Sequence, residues 1–101
     1  MVVPFPFSDL TEAKRRPALV ITGLSGDDLI LCQVTSRNVR DRYSISLTVN
    51  DFTEGSLTKT SNIRPNRIFT ADRNIVLYKI GSLKKEKVTE VISGIIEIIR
   101  N

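Results

Sequence analysis

The chain has 101 residues, with 15 Lys or Arg against 11 Asp or Glu, no His and one Cys, giving a formal net charge of +4 and a pI near 9.6. That length makes one domain, residues 1–101, with a usable but modest core, and 41% hydrophobic against 26% charged residues excludes a disordered chain. A lone cysteine excludes an internal disulfide, and the lack of histidine excludes paired-histidine ribonuclease chemistry and leaves a zinc site only Cys32 and scattered carboxylates.

No apolar run approaches the ~20 residues that span a bilayer. The first residues have no basic segment and carry Pro4 and Pro6 within their apolar part, unlike a signal peptide. The cytoplasm is the expected compartment. Arginines dominate up to Arg73, whereas lysines collect at Lys84, Lys85 and Lys87. The planar guanidinium fork suits phosphate better than a point charge, so the arginine-rich part is the candidate nucleic-acid surface.

Taken in order, residues 2–7 (VVPFPF) read as an extended segment that its two prolines confine to an edge strand or a frayed strand end. Residues 8–16 read as a polar loop ending in Lys14, Arg15 and Arg16. Pro17 forces Arg16 into extended backbone, and residues 18–21 (ALVI) read as a buried strand, which places Arg16 at a fixed strand mouth. Residues 23–28 are a turn by composition. Residues 29–36 form the next strand, with Ile30, Cys32 and Val34 on one face and Gln33 and Thr35 on the other. Cys32 reads as a core thiol.

Residues 37–42 are a charged loop holding Arg37, Arg40 and Arg42. Residues 44–49 alternate, with Ile45, Leu47 and Val49 expected inward. Residues 50–57 read as a loop with one helical turn, and 58–69 as an edge or bent strand broken by Pro65. Residues 75–80 read as a short strand stopped by Gly81. Ser82 is the expected cap of a final helix, whose stripe of Val88, Val91, Ile92, Ile95, Ile96 and Ile99 follows the i, i+3, i+4 rule. Gly94 either weakens that helix by about 1 kcal/mol relative to Ala or permits close packing. The expected fold is mainly β with a C-terminal helix; pattern alone leaves sandwich and barrel open.

VPFPFSDL, a short loop and KRRPALVIT, followed in order by VTS and SNIRPNRIFT, resemble the MazF/PemK-type toxins, small endoribonucleases of bacterial toxin–antitoxin pairs. Members of that family usually carry a few residues containing Gly-Asp before the first strand, whereas here Met1 lies inside it. The resemblance implies an SH3-like barrel, no cofactor, a homodimer, single-stranded RNA as substrate and an acidic antitoxin as partner. It also implies metal-independent cleavage to a cyclic phosphate and a 5′ hydroxyl, with Arg16 and Thr35 as the catalytic pair.

Chemistry agrees with that pairing. Attack of a ribose 2′-OH on its phosphorus concentrates charge on the equatorial oxygens, where a guanidinium and a hydroxyl donor stabilise it. Arginine, with a pKa above ~12, is a poor general base, which leaves Glu12, Asp9 or solvent for that role. Ser36 and Ser61 are candidates for catalytic support, and Lys14, Arg15, Arg37, Arg64 and Arg67 for RNA binding; Tyr43 and Phe69 could stack on bases. Two other readings stay open. One is a DNA-gyrase poison of the related CcdB type, acting through its C-terminal helix. The other is a non-catalytic SH3-like module that binds nucleic acid.

Overall fold

The structure, a computed structural model, describes residues 1–8 and 13–101, with the side chains of 1–6 and 15–101. Seven strands and one helix make up its regular elements: β1 (Val2–Ser8), β2 (Ala13–Gly23), β3 (Asp28–Thr35), β4 (Ile45–Leu47), β5 (Phe52–Gly55), β6 (Ser61–Asp72), β7 (Gly81–Leu83) and α1 (Lys85–Arg100). All pairings are antiparallel, in the order β4-β6-β3-β2-β1-β7-β5. One buried cluster contains Leu47 of β4 and Leu83 of β7, together with Val2, Leu19, Cys32, Val34, Ile63 and Val91 of α1. Strands from opposite parts of the order share that core, so the sheet curls around it into a barrel-like form.

β1 is more than a frayed end. Its seven residues all pair with β2, and Val2 also pairs with Gly81 of β7. The Val20 N–H donates to the Met1 carbonyl at 2.8 Å, which makes Val3/Ala18 and Phe5/Arg16 the hydrogen-bonded pairs of the ladder. Pro4/Pro17 and Pro6/Arg15 then fall at non-bonded positions, where a missing N–H costs the pairing nothing. Beyond Val2 no described residue pairs with the other side of β1, the open edge that the prolines require.

The sheet is buried on both faces in its centre. Even-numbered Cys32 and Val34 of β3 face the main core, while Leu29 and Leu31 join Val3 and Ala18 in a second cluster flanked by Phe5, Val20, Phe69, Ala71 and Val76. Strand alternation carries this second face on to Gln33 and Thr35 in β3 and to Arg16 in β2. β6 bends around Pro65: Arg64 pairs with Gln33, and the next ladder partner, Ile68, pairs with Cys32. β4 flanks β6 only at residues 61–63, so the rest of β6 has one open side.

Several sequence expectations change. β2 begins at Ala13, so Lys14, Arg15 and Arg16 belong to the strand itself rather than to a loop ending at its mouth. β4 stops at Leu47 because the Thr48 N–H donates to Asp51 Oδ2 at 2.8 Å and closes a 3-10 turn over Val49–Asp51; Val49, expected inward, is 65% exposed. The short strand β5 follows where a loop was expected. Residues 76–80 are irregular and leave Leu77 and Tyr78 exposed, while Gly81 starts β7 instead of stopping a strand. There Gly81 faces Gly55, whose φ of 71° favours glycine, and a Cβ on Gly55 would run into the Ile80 carbonyl. Ser82 lies within β7, and Lys84 is the residue at the helix cap. On α1, Val91 is fully buried and Val88 and Ile95 pack on the core, but Ile92, Ile96 and Ile99 are exposed.

Candidate functional site

Arg16 enters the site through strand pairing. Opposite Phe5 in the ladder, it shares the second sheet face with Gln33 and Thr35, and next to them β6 presents Asn62 and Arg64, registered against Thr35 and Gln33. Above these residues the loop between β3 and β4 closes a cleft of about 490 Å³, lined by Arg16, Gln33, Thr35, Arg37, Asn38, Val39, Arg40, Asp41, Arg64 and Arg67. Among the described residues, five arginines and one carboxylate make that lining strongly cationic.

The loop is pinned at both ends. At its start the Arg37 N–H donates to Thr35 Oγ1 at 3.2 Å, and Asn62 Nδ2 donates to the Arg37 carbonyl at 3.2 Å. At its return Asp41 Oδ1 accepts from the Tyr43 and Ser44 N–H groups at 3.0 and 2.9 Å, and Asp41 Oδ2 accepts from Arg64 Nη2 at 3.2 Å. Partial desolvation works against the Asp41 charge, but the two backbone donors and the Arg64 guanidinium outweigh it and hold the carboxyl below the ordinary carboxylate range.

Thr35 is 7% exposed, and among the described residues its oxygen only accepts, which leaves the hydroxyl proton available to a bound anion. Arg16, Arg37, Arg40 and Arg67 have no carboxylate partner among the described residues; Arg64 has Asp41.

Not every sequence candidate reaches this cleft. Arg15 precedes Arg16 in the same strand, so its exposed side chain leaves from the opposite face. Ser61 alternates with Ile63 and Pro65 on the core side, 3% exposed, and its hydroxyl donates to the Lys59 carbonyl at 3.0 Å. Ser36 is exposed at the loop start and is not part of the lining. Arg42 is not part of the lining; it donates to Tyr43 Oη at 3.4 Å and lies 5.2 Å from that ring's centroid. Glu12 and Asp9 lie outside the described residues, as does the side chain of Lys14.

The sequence model for the "PemK-like, MazF-like toxin of type II toxin-antitoxin system" matches residues 1–99. The chain belongs to this toxin family. Two solved structures share the toxin's fold. "Endoribonuclease in complex with its cognate antitoxin from Mycobacterial species" superposes with a TM-score of 0.74 at 12% identity, covering 97% of this chain and 89% of the other. The Mycobacterium tuberculosis toxin MazF-mt6 gives a TM-score of 0.70 at 15% identity, with 96% of each chain covered. No curated protein sequence matches the chain.

The remaining chemistry of this PemK-like toxin is structural. Cys32 is fully buried, and its thiol donates to the Arg64 carbonyl at 3.3 Å, supporting β6 where its register breaks. Burial pushes the thiol up to about 12, the hydrogen bond to Arg64 only partly opposing it, so Cys32 is no nucleophile. Phe69 packs edge-on to Phe5 with ring centroids 4.9 Å apart and belongs to the second cluster. Among the described residues no group of three or more His, Cys, Asp or Glu is placed to hold a metal, and no helix is long and apolar enough to cross a membrane.

Proposed function

We propose that this toxin is a sequence-selective endoribonuclease that cleaves single-stranded RNA by metal-independent attack of a 2′-OH, leaving a cyclic phosphate and a 5′ hydroxyl. The observation that carries the reading is the convergence of Arg16 and Thr35, far apart in sequence, on one cationic cleft. A phosphate seated there meets the Arg16 guanidinium and the Thr35 hydroxyl proton, and among the described residues the first lacks a competing acid and the second an acceptor. Both donors stabilise the charge that grows on the equatorial oxygens as the 2′-oxygen bonds to phosphorus. Arg16 can also donate a proton to the departing 5′-oxygen. Arg37, Arg40 and Arg67 supply phosphate contacts along the strand.

Asp41 is a poor general base, because it is already held in its ionised form by three donors; the base is Glu12, Asp9 or solvent. We further propose an acidic antitoxin segment as the partner, since four of the cleft's arginines, without a carboxylate partner among the described residues, complement such a chain. A symmetric homodimer fits the exposed Ile92, Ile96 and Ile99 of α1. The deciding experiment incubates the purified protein with a long single-stranded RNA, with and without EDTA. Cleavage at equal rates in both, with 5′-hydroxyl ends, is expected. Intact RNA, or cleavage abolished by EDTA, rejects the mechanism.

A further inference from the structure

A carboxylate in a cleft built for phosphate is electrostatically out of place, and Asp41 is the one acid among the described residues of the lining. Its bonds give the reason. Oδ1 holds two consecutive backbone N–H groups, at Tyr43 and Ser44, and so fixes the return of the loop towards β4. Oδ2 takes a single bond from Arg64 at 3.2 Å. That contact uses one of the guanidinium's five donors, and Arg64 Nε is buried with no partner among the described residues. Among the described residues the guanidinium is therefore gripped at one point and left with donors to spare. A full salt bridge that closed the site would engage both arms of the fork.

We infer that Asp41 is a positioning residue that holds the Arg64 guanidinium, and with it the 36–44 loop, in the arrangement that grips an RNA phosphate. The inference rests on the RNA-cleaving reading above. Arg64 sits beside Gln33 and two residues beyond Asn62, on the same face of β6, and Asn62 anchors the other end of the same loop. Two neighbouring outward residues of β6 thus pin the loop that walls the cleft. Without Asp41 the long Arg64 side chain regains its rotamers, and each must be frozen again when RNA binds. The cost falls on binding, since a phosphate contact made equally in the ground and transition states changes KM and not kcat.

The test is a double-mutant cycle of wild type, Asp41→Asn, Arg64→Ala and the double variant. The amide oxygen of Asn can still accept from Tyr43 and Ser44 but gives Arg64 no charge to hold. Asp41→Asn should raise KM on a mixed-sequence single-stranded RNA about tenfold with kcat unchanged. It should weaken binding of a 2′-O-methylated RNA oligomer of mixed sequence by the same factor. In the Arg64→Ala background the same substitution should change neither value. Additive losses overturn the inference, because Asp41 would then act on the loop alone. Tighter binding by Asp41→Asn also overturns it, because Asp41 would then merely repel phosphate. If Asp41→Asn is too unstable to assay, Asp41→Glu, which moves the charge by one methylene, takes its place in the cycle under the same criteria. A wild-type protein that leaves RNA intact refutes the cleavage reading, while the cycle on the methylated oligomer still decides the role of Asp41.

Discussion

The loop between β3 and β4 supplies a wall to two concavities. Residues 37–41 face the arginine cleft, of about 490 Å³, whereas Arg42, Tyr43, Ser44 and Ile45 face a groove of about 700 Å³ along α1, completed by Glu90, Ser93, Gly94, Glu97, Ile98 and Asn101. Size favours the groove as a binding site; charge favours the cleft. In the groove each sign is answered locally. Arg42 leans on Tyr43 and feels the attraction of Glu97, and Glu90 pairs with Lys87 at 3.1 Å. In the cleft four arginines have no carboxylate partner among the described residues. Unanswered charge on a concave, partly desolvated surface attracts a polyanion; empty volume does not.

The comparison breaks most sharply at paired arginines, one from each concavity. Arg16→Ala should lower the rate of RNA cleavage by ~10²–10³, the usual cost of one transition-state donor, with an unchanged unfolding curve because Arg16 packs into neither core cluster. Arg42→Ala should cut RNA at the wild-type rate. If the two variants lost activity equally, the division between cleft and groove would collapse.

Thr35 offers a finer test, since its shape and its hydroxyl can be separated. Thr35→Val keeps the branched side chain but loses both the proton offered to phosphate and the acceptor for the Arg37 N–H. Cleavage should fall about tenfold, whereas Thr35→Ser should retain it. A Val variant as active as wild type would remove the hydroxyl from the mechanism.

The smallest effect is expected on the groove side. A Cβ at Gly94 would meet Ile45 Cδ1 and Pro65 Cγ at 3.5 Å, an ordinary packing distance, and its backbone φ is not positive. Gly94→Ala should therefore stabilise the helix by about 0.5–1 kcal/mol, read by denaturant unfolding, with RNA cleavage unaltered. Lost stability would show that α1 packs more tightly on β6 than these distances allow. Lost activity would bring the groove into the mechanism.

Local periodicity by itself determined the β-rich class, the terminal helix, the core role of Cys32 and the shared face of Gln33 and Thr35, because alternation and the helical repeat are written in neighbouring residues. The motifs around Arg16 and Thr35 singled out that pair. Tertiary structure decided where strands begin and end. Pairing of β1 with β2 extended the strand back to Ala13, which sends Arg15 and Arg16 to opposite faces. The Thr48–Asp51 contact cut β4 short and exposed Val49. The exposed stripe of Ile92, Ile96 and Ile99 shows the same limit, since periodicity marks an apolar face but not what covers it. Asp41 was the least legible of all: between Arg40 and Arg42 it reads as a solvated counter-charge, and only the chain reversal that brings Arg64 of β6 beneath the loop gives it a partner 23 residues away. Such roles depend on contacts between distant segments, and those are fixed by strand order and burial rather than by the residues on either side.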